Sequence, residues 1–278
     1  MNSFPDNADL APYFSGKKLY GDDFTIDQLE EWLSEEAEGY SSLIDHSPTN
    51  RTYAYHELNK MHGFRHIVLP KECVALGIGA AYCQEFLPIL PYLTHITSLD
   101  PSEKFNVNEL YGVPVVRVRP TVNGDMPFPD NHFDVITCFG ALHHIANVSY
   151  ILEECHRVLK PGGVMFCQEP IVTMGDWRLP RKGITRNERG IPYKLLIEMV
   201  SRCNFAICRK TLFDFGPLGR LLSLVGVTRF SGKATTFLDY IISQLFSFNR
   251  KYHRVGIIDR FGPASLYLVL QKEPPAGN

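Results

Sequence analysis

The chain has almost no excess charge, no cysteine pair at metal-clip spacing and no apolar run near membrane-spanning length, and each absence excludes a class of function. Its 28 basic and 30 acidic residues leave a net charge of −2, so no global field draws it to nucleic acid. The seven cysteines, at 73, 83, 138, 155, 167, 203 and 208, contain no Cys-x-x-Cys pair, and several fall inside expected strands or helices. They read as buried thiols in a reducing compartment, and no metal site is expected. The longest apolar stretch falls far short of the ~20 residues of a spanning helix. The opening MNSFPDNADLAPYF has neither the basic start nor the apolar core of a signal peptide, so a cytoplasmic location is expected. No internal repeat or low-complexity tract occurs.

What is present is an alternation of strand and helix signals in 278 residues, of which 45% are hydrophobic. Thr25 opens the capping-box pattern TIDQ, with Gln28 at the third helical position, and predicts an acidic helix to about Gly39. A second helix is expected over Tyr53 to His62. Strands follow at Cys73 to Leu76, Ile96 to Leu99, Val113 to Val118 and Phe133 to Cys138, with a helix over Tyr82 to Leu87 after the first. Val148 to Leu159 carries apolar residues at helical spacing, and Lys160-Pro161-Gly162-Gly163 reads as the turn that stops it. A strand over Val164 to Gln168, a helix over Pro192 to Cys203 and strands over Phe205 to Thr211 and Ser265 to Gln271 complete the set. The expectation is an α/β fold with a doubly wound, mostly parallel, seven-stranded sheet. Its ligand should lie outside the carboxyl ends of the strands. Residues 1–65 form N-terminal helices, 66–212 the core, 213–264 a helical insertion before the last strand, and 265–278 that strand and a tail.

The stretch FPDNHFDVITCFGALHHIANVSYILEECHRVLKPGGVMFCQEP, Phe128 to Pro170, resembles class I S-adenosylmethionine-dependent methyltransferases of the type-11 methyltransferase domain. There "PFPD..FD", "LHH" and "RVLKPGG" follow one another at this spacing. The resemblance covers roughly Glu72 to Glu169 and implies a Rossmann-like fold, S-adenosylmethionine as cofactor and a methyl-transfer reaction. Gly77, Ile78 and Gly79 stand where the family places its cofactor loop. Ala75 replaces the family's acidic residue, and Ala81 its third glycine. Without the resemblance, Gly-x-Gly is a tight turn between strand and helix. Asp100, ending the second strand, stands where the family holds both ribose hydroxyls on one carboxylate. Its other reading is a helix N-cap before Pro101-Ser102-Glu103. Asn123 or Asp125 could supply the adenine contact, and Phe139 and Gly140 complete the cofactor loops.

The resemblance also places the loop Gly140 to Ile145 beside the transferred methyl group. His144 is then the candidate for positioning or deprotonating the acceptor, with His143 and Glu169 behind it. The alternatives are a histidine hydrogen-bonded within the loop, and for Glu169 a structural bond to the backbone of the next loop. In-line methyl transfer needs chiefly placement and exclusion of water. The run RLPRKGITRNER, Arg178 to Arg189, holds five basic residues and would suit a phosphate or carboxylate on the acceptor, or would form a solvated loop. Met174 to Pro192 is similar to methyltransferases of bacterial surface-polysaccharide synthesis, which implies a sugar or related small metabolite as acceptor. A quinone- or lipid-type acceptor and a noncatalytic binding role stay open, as does the oligomeric state. Between the last two strands, Phe237, Ile241, Leu245 and Phe248 recur at helical spacing with Asp239, Ser243 and Ser247 on another face. This helix reads as a lid on the acceptor pocket, as core packing, or as a peripheral membrane contact.

Overall fold

The computed structural model describes residues 10–43, 53–177, 179 and 181–273; Arg178 of the basic run lies outside them. Eight strands form one sheet: β1 (Cys73–Ile78), β2 (Leu93–Leu99), β3 (Glu109–Leu110), β4 (Val113–Val118), β5 (Phe133–Phe139), β6 (Leu159–Pro170), β7 (Phe205–Phe215) and β8 (Pro263–Lys272). Their order is β3-β4-β2-β1-β5-β6-β8-β7. The strands from β4 to β6 pair in parallel, whereas β8 lies antiparallel between β6 and β7, and β3 antiparallel to β4. The expected seven strands are therefore eight and mixed. The extra one, β3, is a two-residue edge whose sequence, Glu109-Leu110, is too short to show alternation.

Period-two alternation assigns each strand's residues to two cores. In β8, Leu266, Leu268 and Leu270 face one core and Tyr267 and Val269 the other. The first core is closed by α4 (Val148–Val158) and α5 (Tyr193–Arg202), whose Leu152, Cys155, Val158, Leu196 and Val200 recur at helical spacing and are buried. The second is closed by α3 (His56–His62) and by a 3-10 run, Gln84–Tyr92. That run replaces the α-helix expected over Tyr82 to Leu87, because Pro88 and Pro91 withhold the amide donors an α-helix needs. Lys160 to Gly163 also departs from expectation: it is an excursion inside β6, between the pairings Phe133 with Leu159 and Val135 with Val164.

The N-terminal part adds α1 (Ala11–Phe14) and α2 (Ile26–Leu43), the latter opened by the expected capping box, with the Thr25 amide donating to Gln28 Oε1 at 3.0 Å. Residues 216–262 hold α6 (Gly216–Leu224) and α7 (Lys233–Leu245), which pack on β7. No described helix is long and apolar enough to cross a membrane.

Candidate functional site

A cleft with about 980 Å³ of empty space, counting its open mouth, lies at the carboxyl ends of β1, β2, β4 and β5. Gly79, Asp100, Val122, Gly140 and His144 line it, and α2 roofs it with Leu29, Trp32, Leu33 and Glu36. The glycines have steric reasons. A Cβ on Gly77 would come within 2.5 Å of Ala80 Cβ, and Gly79, at φ +63°, would meet Ala141 Cβ at 2.8 Å. The Gly79 amide donates to Leu99 O at 2.9 Å, so the first loop is tied to the end of β2. Ala75 is fully buried and adds no polar group there.

Asp100 is buried at the floor of this cleft. Its Oδ2 accepts from the Ala81 amide at 3.2 Å and its Oδ1 from the Ser102 amide at 3.0 Å. Burial pushes its carboxyl up, against those two amide bonds. Each oxygen keeps a second lone pair, so clamping the loops and accepting from a ligand hydroxyl are compatible. Ile78 and Gly140 line the cleft as expected, but Asn123, Asp125 and Phe139 do not. Asn123 Nδ2 donates to Asp125 Oδ2 at 2.6 Å and Tyr150 donates to the same carboxylate, so the two polar side chains close the turn on each other outside the cleft. The wall there is Val122, Gly124 and Met126. The Phe139 ring packs on the opposite side, 5.8 Å from Tyr267.

The two histidines divide the work unequally. His143 is buried between carboxylates, with Nδ1 2.7 Å from Glu169 Oε2 and Nε2 3.4 Å from Glu188 Oε1. Burial opposes its charge, yet the two carboxylates prevail and lift it to about 9. It is a buried imidazolium, unsuited to act as a base. The ligand atoms of His143, His144 and Glu188 lie within 4.8 Å of one another, with Glu169 and Glu188 already facing the two ring nitrogens of His143. Glu169 is fully buried and bonds backwards, to the amides of Ala141, Leu142 and His143 at 3.0, 2.8 and 3.2 Å. It holds the loop after β5, not the next loop, in shape. His144 lines the cleft, and its Nδ1 meets Glu36 Oε2 of α2 at 2.8 Å.

Glu36 was not legible as a site residue, although it continues the Leu29, Trp32, Leu33 stripe at helical spacing, a carboxylate on an otherwise apolar face. It also accepts from Thr185 Oγ1 at 2.6 Å and the Asn187 amide at 2.9 Å. Trp32 Nε1 donates to His144 O at 2.6 Å, and the Arg189 guanidinium stacks 4.9 Å over the Trp32 ring. Three of the five bases in the run, Arg181, Arg186 and Arg189, have partners within the protein. Arg189 donates to the carbonyls of Tyr20, His143, Ile145 and Ala146, Arg181 to those of Glu188 and Arg186, and Arg186 pairs with Glu35. These guanidiniums fasten the roof to the loops.

The insertion does not roof this cleft, so the expected lid at that place is α2. Residues Gly219 to Phe230 instead wall a second cavity at the carboxyl edge of β6, with Tyr55, Gln168 and Ser265 opposite. Gln168 O accepts from the Gly140 amide at 2.7 Å, which sets the two cavities on either side of that contact.

Residues 74–167 match the family described as the methyltransferase domain. This segment holds β1 to β5, α4 and most of β6, and so the floor of the cleft. Over 93 residues the chain is 33% identical to the uncharacterized methyltransferase YcgJ of Bacillus subtilis, an alignment covering 32% of this chain and 37% of that protein. Over 81 residues it is 35% identical to a demethylmenaquinone methyltransferase of Listeria welshimeri, covering 26% and 33%. The chain spans about a third of the length of these curated relatives. The fold is shared more widely. The crystal structure of YcgJ superposes with a TM-score of 0.52 at 20% identity, covering 80% of this chain and all of that one. The [4+2]-cyclase SpnF superposes at 0.53 and 16% identity, covering 91% and 98%.

Proposed function

We propose that the chain binds S-adenosylmethionine in the cleft beneath α2 and transfers its methyl group to an apolar small-molecule acceptor. One observation carries the reading: the glycine loop after β1 and the carboxylate ending β2 meet in one cleft, with the loop after β5 as its third wall. The residues fit the cofactor. Gly79 lines the cleft with no side chain to narrow it, while Gly77 lies behind it against Ala80 and Phe86, and the buried Asp100 offers unused lone pairs to two adjacent hydroxyls. Apolar Leu99, Val122, Met126 and Ile151 suit the faces of a purine ring.

S-adenosylmethionine, held by the loop at Gly79 and by Asp100, would supply an activated methyl group to a lone pair of the acceptor. The chain aligns and dehydrates that encounter. His144, whose Nδ1 meets the Glu36 carboxylate at 2.8 Å, is the group that takes a proton from the acceptor in this reading. The carbonyl and carboxylate partners of Arg181, Arg186 and Arg189 leave fewer bases of the run for a sugar phosphate. The demethylmenaquinone methyltransferase relatives support an apolar ring compound over a sugar of surface polysaccharide. A second reading, a cofactor-binding protein without transfer, is favoured by the buried alanine at position 75 and by the cyclase that shares the fold.

Calorimetric titration with S-adenosylmethionine tests the first step, and Asp100→Ala should weaken affinity about tenfold to a hundredfold. Mass spectrometry of hydroquinone, phenol and sugar panels tests the second. His144→Asn, which keeps a donor toward Glu36, should lower turnover about 10²–10⁴-fold with cofactor affinity little changed. Failure of the folded protein to bind the cofactor rejects both readings; binding without a methylated product across the panel favours the second.

A further inference from the structure

Helix α7 is docked by the wrong face for an amphipathic helix. Its buried residues are Thr236, Asp239 and Ser243, each fully buried, while Phe237, Leu245 and the following Phe248 are 55%, 68% and 79% exposed. Hydrogen bonds fix this orientation. Asp239 accepts from the amides of Asp214 and Phe215 at 2.8 and 2.9 Å, its Oδ1 lies 3.9 Å from Arg229 Nε, and Gln244 Nε2 donates to Leu212 O at 2.8 Å. Rotating the helix to hide its apolar stripe would break all of them and leave a buried carboxylate unpaired.

The neighbouring elements continue the exposed stripe. Asn249 Nδ2 donates to the carbonyls of Ile258 and Phe261 at 3.0 and 2.8 Å, holding residues 255–261 against the end of α7, and Ile257 and Ile258 are 77% and 82% exposed. The Phe215 ring, at the start of α6, lies 5.0 Å from Phe246 and 6.3 Å from Phe261. Arg229 pairs with both Asp214 and Asp239 beside Gly219, so α6 sits alongside and presents Leu221 and Leu224. Thirteen of the twenty-one large apolar side chains exposed among the described residues fall between 216 and 261. A face this apolar needs a partner.

Charge says which. Residues 216–262 hold seven basic and two acidic residues in a chain whose net charge is −2, so the rest of the chain carries −7. Both acids are engaged within the segment, Asp239 as above and Asp259 by Lys251 at 2.7 Å. Arg220, Lys233 and Arg260 are exposed and make no ion pair among the described residues. We propose that this face docks on an anionic lipid bilayer, with the apolar side chains at the acyl boundary and the bases against headgroup phosphates. The acidic remainder of the molecule turns it face-on. A second copy of the chain fits poorly, because a two-fold contact would set the basic face against itself. The inference does not depend on methyl transfer.

The test is cosedimentation of the full chain with vesicles of phosphatidylcholine alone or mixed equally with phosphatidylglycerol. The wild type should pellet with the mixed vesicles and be released by salt. The triple variant Arg220→Glu, Lys233→Glu, Arg260→Glu should weaken binding at least about tenfold. Leu245→Ser with Phe248→Ser should do the same without lowering the melting temperature, since both side chains are already exposed. Absence of binding to mixed vesicles, or binding that neither set of substitutions changes, overturns the proposal. So does a dimer in sedimentation equilibrium that Leu245→Ser with Phe248→Ser dissociates, which would make the face a contact between copies.

Discussion

Ala81 stands at φ +47° and Cys83 at φ +58°, in the left-handed region where a side chain is strained and glycine is not. The backbone after β1 keeps the shape of a glycine loop although one glycine has been replaced. The Asp100 carboxylate, bonded to the Ala81 amide, helps hold that strained turn. Ala81→Gly should therefore stabilise the protein by about 1 kcal/mol, a rise of about 2–4 °C in melting temperature for a chain of this size. Differential scanning calorimetry checks this, and a lower melting temperature would show that the alanine methyl contributes packing that outweighs the strain. The substitution could be read from the sequence as a departure from the family's pattern. Its cost could not, because φ is set by the neighbours the loop bridges.

Two helices show how an element's role depends on what covers it. α2 places its apolar stripe on the cleft and its carboxylates on the loop at 185–187, and so becomes the roof. α7 has a comparable stripe but turns it outward, because Asp239 finds two amides and a guanidinium beneath it. Asp239→Ala should destabilise the fold by about 3–5 kcal/mol, since it leaves Arg229 with less counter-charge and two amides without acceptors. Urea titration checks the magnitude. Limited proteolysis should then cut first between α6 and α7; unchanged stability would mean that helix α7 is held by its remaining packing instead.

At the scale of the whole molecule, two buried titratable groups set a common pH trend. Burial raises Glu85 to about 8, where Thr137 Oγ1 donates to it at 3.2 Å, so the folded chain keeps a proton that the unfolded chain loses near 4.5. His143, held at about 9 against burial by Glu169 and Glu188, keeps its proton above the 6.5 of the unfolded chain. In both cases the native state binds more protons, so stability falls as pH rises: from about 4.5 to 8 through Glu85 and from about 6.5 to 9 through His143. Buried His62, lowered to about 3, gives the opposite slope up to about 6.5, so urea unfolding at pH 7, 8 and 9 should show steadily decreasing stability. Glu85→Gln should flatten the trend below about pH 8 and leave the part above it; a flat wild-type profile would show that neither group is held protonated.

Seven of the eight strands and the helices α2, α3, α4, α5 and α7 were determined by the sequence alone, because period-two and 3.6-residue apolar patterns are local and the glycine loop, the strand-ending Asp100 and the loop at 140–145 are contiguous signals. The four residues Val148, Leu152, Cys155 and Val158 already specify one helix face. Only the tertiary structure decided which polar groups meet. Glu36 reaches His144 across 108 residues, Arg189 reaches Tyr20 across 169, and Asp239 reaches the amides that end β7. Those encounters turned three arginines of the basic run into fasteners, a remote acidic helix into the roof, and the stripe of α7 into an outward apolar face. The reason is physical: apolar periodicity reports only that a face exists, whereas a buried charge or hydrogen-bonding group must find its partner, and that partner's place in the chain is fixed by the fold.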